Sequence, residues 1–305
     1  MSEKMKWMAG ILLLTCTGFI SACEQGILLG APGKELEPDE VDTSLPTTAR
    51  ISASNGIITI EFLFKGPMEL EDGSQSWTEE ELKIFQTAAK RWLQVVRSPG
   101  SEVNHKVTIY VQTRDYEEGL GAASPYFDSM KKVSGQYFPT EGEILMAAYA
   151  YSDDFEDEFE FVEEAETEFE GIILHELGHV FGIGTLWNLG QEDNEIYGDD
   201  EEPNLRRWAP YSEQYQGYYY ERKNGLSAYR QIFGDWDVVP LLNDAGHVYF
   251  EDDDNPSRTD KLGRKFPSAD YELMGDGVHF SIISAGFLED LGWQINRKHL
   301  DAYPH

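Results

Sequence analysis

The stretch GIILHELGHVFGIG, residues 171–184, constrains this chain more than any other. It carries His175, Glu176 and His179 in the order H-E-x-x-H. Residues four apart share one face of an α-helix, so the two imidazoles can grip a single metal ion. Glu176 then stands beside the ion, placed to take a proton from water. The pattern therefore demands a helix, and its flanks comply. Ala165, Phe169, Ile172 and Ile173 form an apolar stripe at helical spacing. Gly182 can stop the helix, because glycine reaches the positive φ that helix ends often need. The plainer alternative is a buried helix whose two histidines bond to neighbours. A neutral His pair beside a buried Glu is costly without a partner charge, which favours the metal. The chemistry implied is peptide hydrolysis at zinc.

The acidic balance narrows the partners. The 305-residue chain has 24 basic and 56 acidic side chains, a net charge of −32. Affinity for nucleic acid comes from Lys and Arg neutralising phosphates, so a nucleic-acid partner is excluded. Charge-driven contact with an anionic membrane is excluded for the same reason. Hydrophobic residues make up 41%, ample for a core. The two cysteines are Cys16 and Cys23, so no disulfide framework is expected in the body of the protein.

Lys4 and Lys6 precede an apolar run from Met8 to Ile20, too short for a comfortable span and shaped like a signal peptide. It ends in Ile20-Ser21-Ala22-Cys23, which resembles a bacterial lipoprotein signal. That resemblance implies cleavage before Cys23 and a lipid on its thiol, anchoring the protein to the bacterial cell envelope without spanning it. An ordinary secretory signal is the alternative, and both export the chain. Residues 1–22 are thus read as signal, 23–50 as a flexible Pro- and Gly-containing tether, and 51–305 as the folded domain.

Within that domain, IITIEFLF at 57–64 reads as a strand. Thr78 with Glu81 forms a capping box that opens a helix striped by Phe85, Ala88, Ala89, Trp92 and Val96. Further strands are expected at Val107 to Val111 and Glu143 to Tyr151. The run from 153 to 170 is densely acidic. It reads as the solvated start of the metal helix, where negative charge suits the helix dipole, with a calcium site as the alternative. Residues 188–220 are polar and irregular; helices are expected at Ser227 to Phe233 and Ser281 to Leu291, the second ended by Gly292. The fold class expected is mixed α/β (α+β), with residues 51–184 as a sheet-and-helix half and 185–305 as a more irregular half.

Catalytic zinc usually takes three protein ligands and one water. In many metzincin peptidases the third His follows the glycine directly, but that position here is Thr185. The stretch HELGHVFGIGTLWN resembles instead the leishmanolysin-like metzincins and their bacterial secreted relatives, in which a long insertion precedes the third His. Gly246-His247, Glu272-Leu273-Met274 and LEDLGW at 288–293 are similar to that family in order and spacing. The likeness covers about 170–195 and 236–295 and is weak before 140. It implies His247 as third ligand and Met274 as the methionine of a Met-turn beneath the metal. It also implies that the strand at Ile144 to Tyr151 is an edge strand that pairs with extended substrate. The chain departs from the pattern in having Asp276 where some metzincins carry a tyrosine, and no cysteine after Cys23 for a latency switch.

Among competing ligands, His279 follows Met274 closely, while His105 is expected at the surface and His299 and His305 in the tail. A downstream Glu ligand, as in thermolysin-like enzymes, fits poorly with a helix that stops at Gly182. The function expected is a zinc-dependent endopeptidase acting on proteins or peptides, with Glu176 as general base. The alternatives are a catalytically inactive surface binding lipoprotein of peptidase fold, against which Glu176 argues, and a structural metal lipoprotein, which would call for four ligands.

Overall fold

The structure is a computed structural model and describes residues 41–70, 73–100, 104–114, 120–147, 162–187, 208–252 and 255–304. In chain order, strands β1 (Thr47–Ser54), β2 (Ile58–Lys65), β3 (Met68–Leu70) and β4 (Gly73–Gln75) precede helix α1 (Glu79–Val95). Strands β5 (Val96–Ser98), β6 (His105–Arg114), β7 (Gly121–Pro125), β8 (Met130–Val133), β9 (Gln136–Pro139) and β10 (Glu141–Ala147) lead to helix α2 (Val162–Val180). Then follow β11 (Tyr211–Ser212), β12 (Gly217–Tyr220), α3 (Lys223–Phe233), β13 (Val239–Pro240), α4 (Ile282–Leu291) and β14 (Gln294–Ile295). The architecture is mixed α and β, with four α-helices among the described residues.

The main sheet has the order β1-β2-β6-β10-β7. Strands β2, β6 and β10 run parallel, and β1 and β7 close the two edges antiparallel. In β2, Ile58, Ile60, Phe62 and Phe64 alternate onto one face and are fully buried. They meet α1, whose capping box forms as expected: Thr78 Oγ1 accepts from Glu81 N at 3.2 Å, and the Glu81 carboxylate accepts from Thr78 N. Phe85 of α1 packs edge-on against Phe62 at 5.3 Å and against Phe169 of α2 at 6.2 Å. That contact ties the sheet, α1 and the motif helix into one core. Burying each such aromatic stabilises by roughly 1.5–3 kcal/mol relative to exposure. Val96, expected on the α1 stripe, is buried, but it is the extended C-cap that opens β5.

The second half closes back on the first. Helices α3 and α4 cross closely, since a Cβ at Gly286 would lie 2.7 Å from the Asn224 carbonyl. Asp290 of α4 accepts from Asn224 N and Gly225 N, capping α3 from outside. Strand β14 pairs with β5, and Asp301 bonds Arg91 of α1 at 2.5 Å. The buried apolar side chains of both halves form one continuous core.

Several expectations need correction. The strand ending at Ala147 is interior, not an edge: β10 lies between β6 and β7, because β7 folds back antiparallel onto it. On this side of the sheet the edge, unpaired among the described residues, belongs to β7. His105 is buried rather than exposed. It opens β6, bonds the Pro139 carbonyl through Nε2 at 2.8 Å, and packs edge-on against Trp293. Burial there lowers its pKa. Described structure also lies before residue 51. Val41 is buried with its N–H on the Glu143 carboxylate, and β1 begins at Thr47. Cys23, the signal and residues 23–40, residues 148–151 at the end of the expected strand, the acidic run to residue 161 and the stretch 188–207 lie outside the described residues, as does the side chain of Ala165.

Candidate metal centre

Helix α2 carries the H-E-x-x-H residues as the sequence requires. It ends at Val180, and Gly182 just beyond it takes φ 109°. The Gly182 N–H donates to the His179 carbonyl at 3.0 Å and the Ile183 N–H to the Gly178 carbonyl at 2.9 Å, a Schellman closure. The turn that follows is fastened to α2 and to the loop beyond β13. Thr185, where the shorter motif would place a histidine, donates its hydroxyl to the His179 carbonyl at 2.7 Å. Trp187 Nε1 donates to the Ala245 carbonyl at 2.8 Å. Gly184 lies so close to Gly246 that a Cβ would meet its carbonyl at 2.7 Å.

That closeness brings His247 to the helix. The Nε2 atoms of His175 and His179 are 3.1 Å apart, and His247 Nε2 lies 3.0 Å from each. All three rings are buried. Each Nδ1 is committed elsewhere. His175 Nδ1–H donates to the Leu273 carbonyl at 2.6 Å, His179 Nδ1–H to the Ile183 carbonyl at 2.9 Å, and His247 Nδ1–H to the Asp244 carboxylate. A neutral imidazole has one N–H, so all three Nε2 atoms turn lone pairs toward one point. Burial, then the neighbouring histidines, push His175 well below its ordinary pKa and His179 down to about 3. Protonating His175 or His179 is therefore no remedy for the crowding. A donor set of this kind fits a cation.

Asp244 is the residue that sequence reasoning missed. Its Oδ1 also accepts from Gly246 N at 2.7 Å and His247 N at 3.2 Å, and Ala245 takes φ 59° to make the turn. Burial pushes the carboxyl pKa up, but His247 and the Gly246 N–H more than offset this and hold it below the usual value. The signal was a carboxylate three residues before a candidate histidine ligand, the kind of partner that fixes a ligating imidazole.

Glu176 is fully buried, and its carboxylate lies over the start of β7: a Cβ at Gly121 would come within 2.7 Å of Oε1. Met274 is fully buried, its sulfur against Gly178, where a side chain would collide with it. His279 stays apart. It is half-buried and pairs through its backbone with Tyr271 and Leu273. Among the described residues, the three histidines are the one group of metal-ligating side chains that converges in this way. No protein-family model, curated protein or solved structure matches the chain.

Proposed function

We propose that the chain is a zinc-dependent endopeptidase of the metzincin kind, with His175, His179 and His247 as ligands and Glu176 as general base. The observation that carries this reading is the convergence of three buried Nε2 lone pairs whose Nδ1 partners are all fixed, beside a buried carboxylate. Three converging ligands rather than four among the described residues favour a catalytic over a structural site. Bound zinc supplies Lewis acidity, acidifying water to a pKa of about 7 and polarising a carbonyl. Glu176 accepts the proton from the attacking water and delivers it to the leaving amine. Asp244, Leu273 and Ile183 hold the three imidazoles in one tautomer.

Substrate pairing belongs on β7. The bonds from Ala147 N to Leu120 O and from Tyr126 N to Glu141 O set the register. Residues 120, 122, 124 and 126 face β10 with their backbone groups, so Gly121, Ala123 and Pro125 face the free edge. Pro125 has no N–H, leaving Gly121 and Ala123 as the edge residues with both donor and acceptor for an extended peptide. Gly121 is also the residue beneath Glu176, which supports a pairing next to the proposed base.

Export and a lipid anchor on Cys23 complete the proposal; no helix among the described residues is long and apolar enough to cross a membrane. Radiolabelled palmitate is expected in the mature protein and absent from Cys23→Ala; an unlabelled mature protein defeats the anchor. For the chemistry, the purified protein and Glu176→Gln are compared on an unfolded protein substrate with zinc quantified in both. The parent is expected to cleave and the variant to retain zinc with turnover lost. Normal cleavage by Glu176→Gln would sink the mechanism.

A further inference from the structure

Glu272 is a buried acid that the proposed chemistry does not use. Its side chain is fully inaccessible. Its carboxylate accepts from the Ser281 hydroxyl, the Ser284 hydroxyl and Ser284 N at 3.1 Å, so it closes the first turn of α4. The Met274 backbone N–H also faces it. Burial pushes its pKa up to about 7, and these donors are what keep it from rising further. The Glu272 carbonyl accepts from Gly275 N at 2.9 Å and Gly277 N at 3.0 Å. One residue thus ties both ends of the turn at Met274 and fastens it to α4.

That turn reaches two of the three histidines. The Leu273 carbonyl receives His175 Nδ1–H, and the Met274 carbonyl receives the N–H of Val248, the residue after His247, at 2.7 Å. Met274 also fills the space under Gly178, between His175 and His179 on α2. From this geometry we infer that Glu272 is the positioning residue of the metal centre: its carboxylate locks the turn that aims His175 and His247. The inference rests on the metal reading above.

The test uses the full chain. Zinc affinity is measured by chelator competition, and the cobalt-substituted protein is examined by its visible spectrum. Glu272→Gln puts an N–H₂ where an acceptor is needed. It is expected to weaken zinc binding about 10- to 100-fold, as loss of partners behind metal ligands does, and to change the cobalt bands. Leu291→Ala, buried at the far end of α4, is expected to lower the melting temperature while leaving affinity and spectrum unchanged. This separates positioning from mere loss of helix stability. Should Glu272→Gln fail to fold, Ser284→Ala removes one donor and is expected to weaken binding several-fold. Wild-type affinity and spectrum in whichever of the two folds overturn the role of Glu272 and leave the metal reading standing. A parent protein that holds neither ion overturns both.

Discussion

At the scale of single residues, the candidate metal centre is an arrangement of hydrogen atoms as much as of nitrogens. Each imidazole could take either tautomer, and a carbonyl or carboxylate on each Nδ1 decides the choice. Asp244 is the partner easiest to test, because it is a side chain. Asp244→Asn keeps the shape but can turn an N–H₂ toward His247 Nδ1. We expect zinc affinity to fall about 10- to 100-fold, with the fold retained by circular dichroism. Unchanged affinity would show that the backbone turn alone aims His247. Glu176, His175 and His179 were legible because their spacing is local and helical periodicity maps spacing onto a face. Asp244 was not, because its meaning depends on a ring that only the folded loop brings into reach.

Among the elements, the edge strand carries the sharpest consequence. A strand expected at the edge through the resemblance to metzincins proves interior, and β7 lies outside it. Strand order is set by pairing between distant segments, and the alternation of side chains says nothing about which neighbour comes next. Ala123→Pro removes a backbone N–H that faces away from β10, so the sheet bonds survive. KM for extended peptides is expected to rise about tenfold, equivalent to roughly 1.4 kcal/mol of lost binding, with zinc content unchanged. An unchanged KM would remove β7 from the substrate path. By contrast α1 and α4 were readable nearly to the residue, since Thr78 with Glu81 and Ser281 with Gly292 are caps written in adjacent letters.

For the whole molecule, the surplus of acid sets the response to pH. Asp276 is pushed up to about 7, first by burial and then by the charges of Asp270, Asp252 and Glu168. Its folded pKa lies above its unfolded value of about 3.8. The folded state therefore binds this proton more tightly. The stability it contributes is complete below about 3.8 and is lost as pH rises through about 7. Melting temperature is expected to fall across that window, and Asp276→Asn is expected to flatten the slope. An equal slope in the variant would assign the effect to other carboxylates.

The helix, its two histidines, the glutamate between them and its stop were determined by sequence alone, because all of them lie within one run of residues 171–184 governed by the local geometry of a helix. So were the mixed α and β class and the caps. Tertiary structure decided the rest: the closeness of His247 to α2, the burial of His105 and the tie from Glu272 through the turn at Met274 to His175 and the residue after His247. Each depends on contacts between residues far apart in the chain. The close approach of Gly184 to Gly246 is one such contact, and only packing of the whole core selects it from the many that the sequence permits.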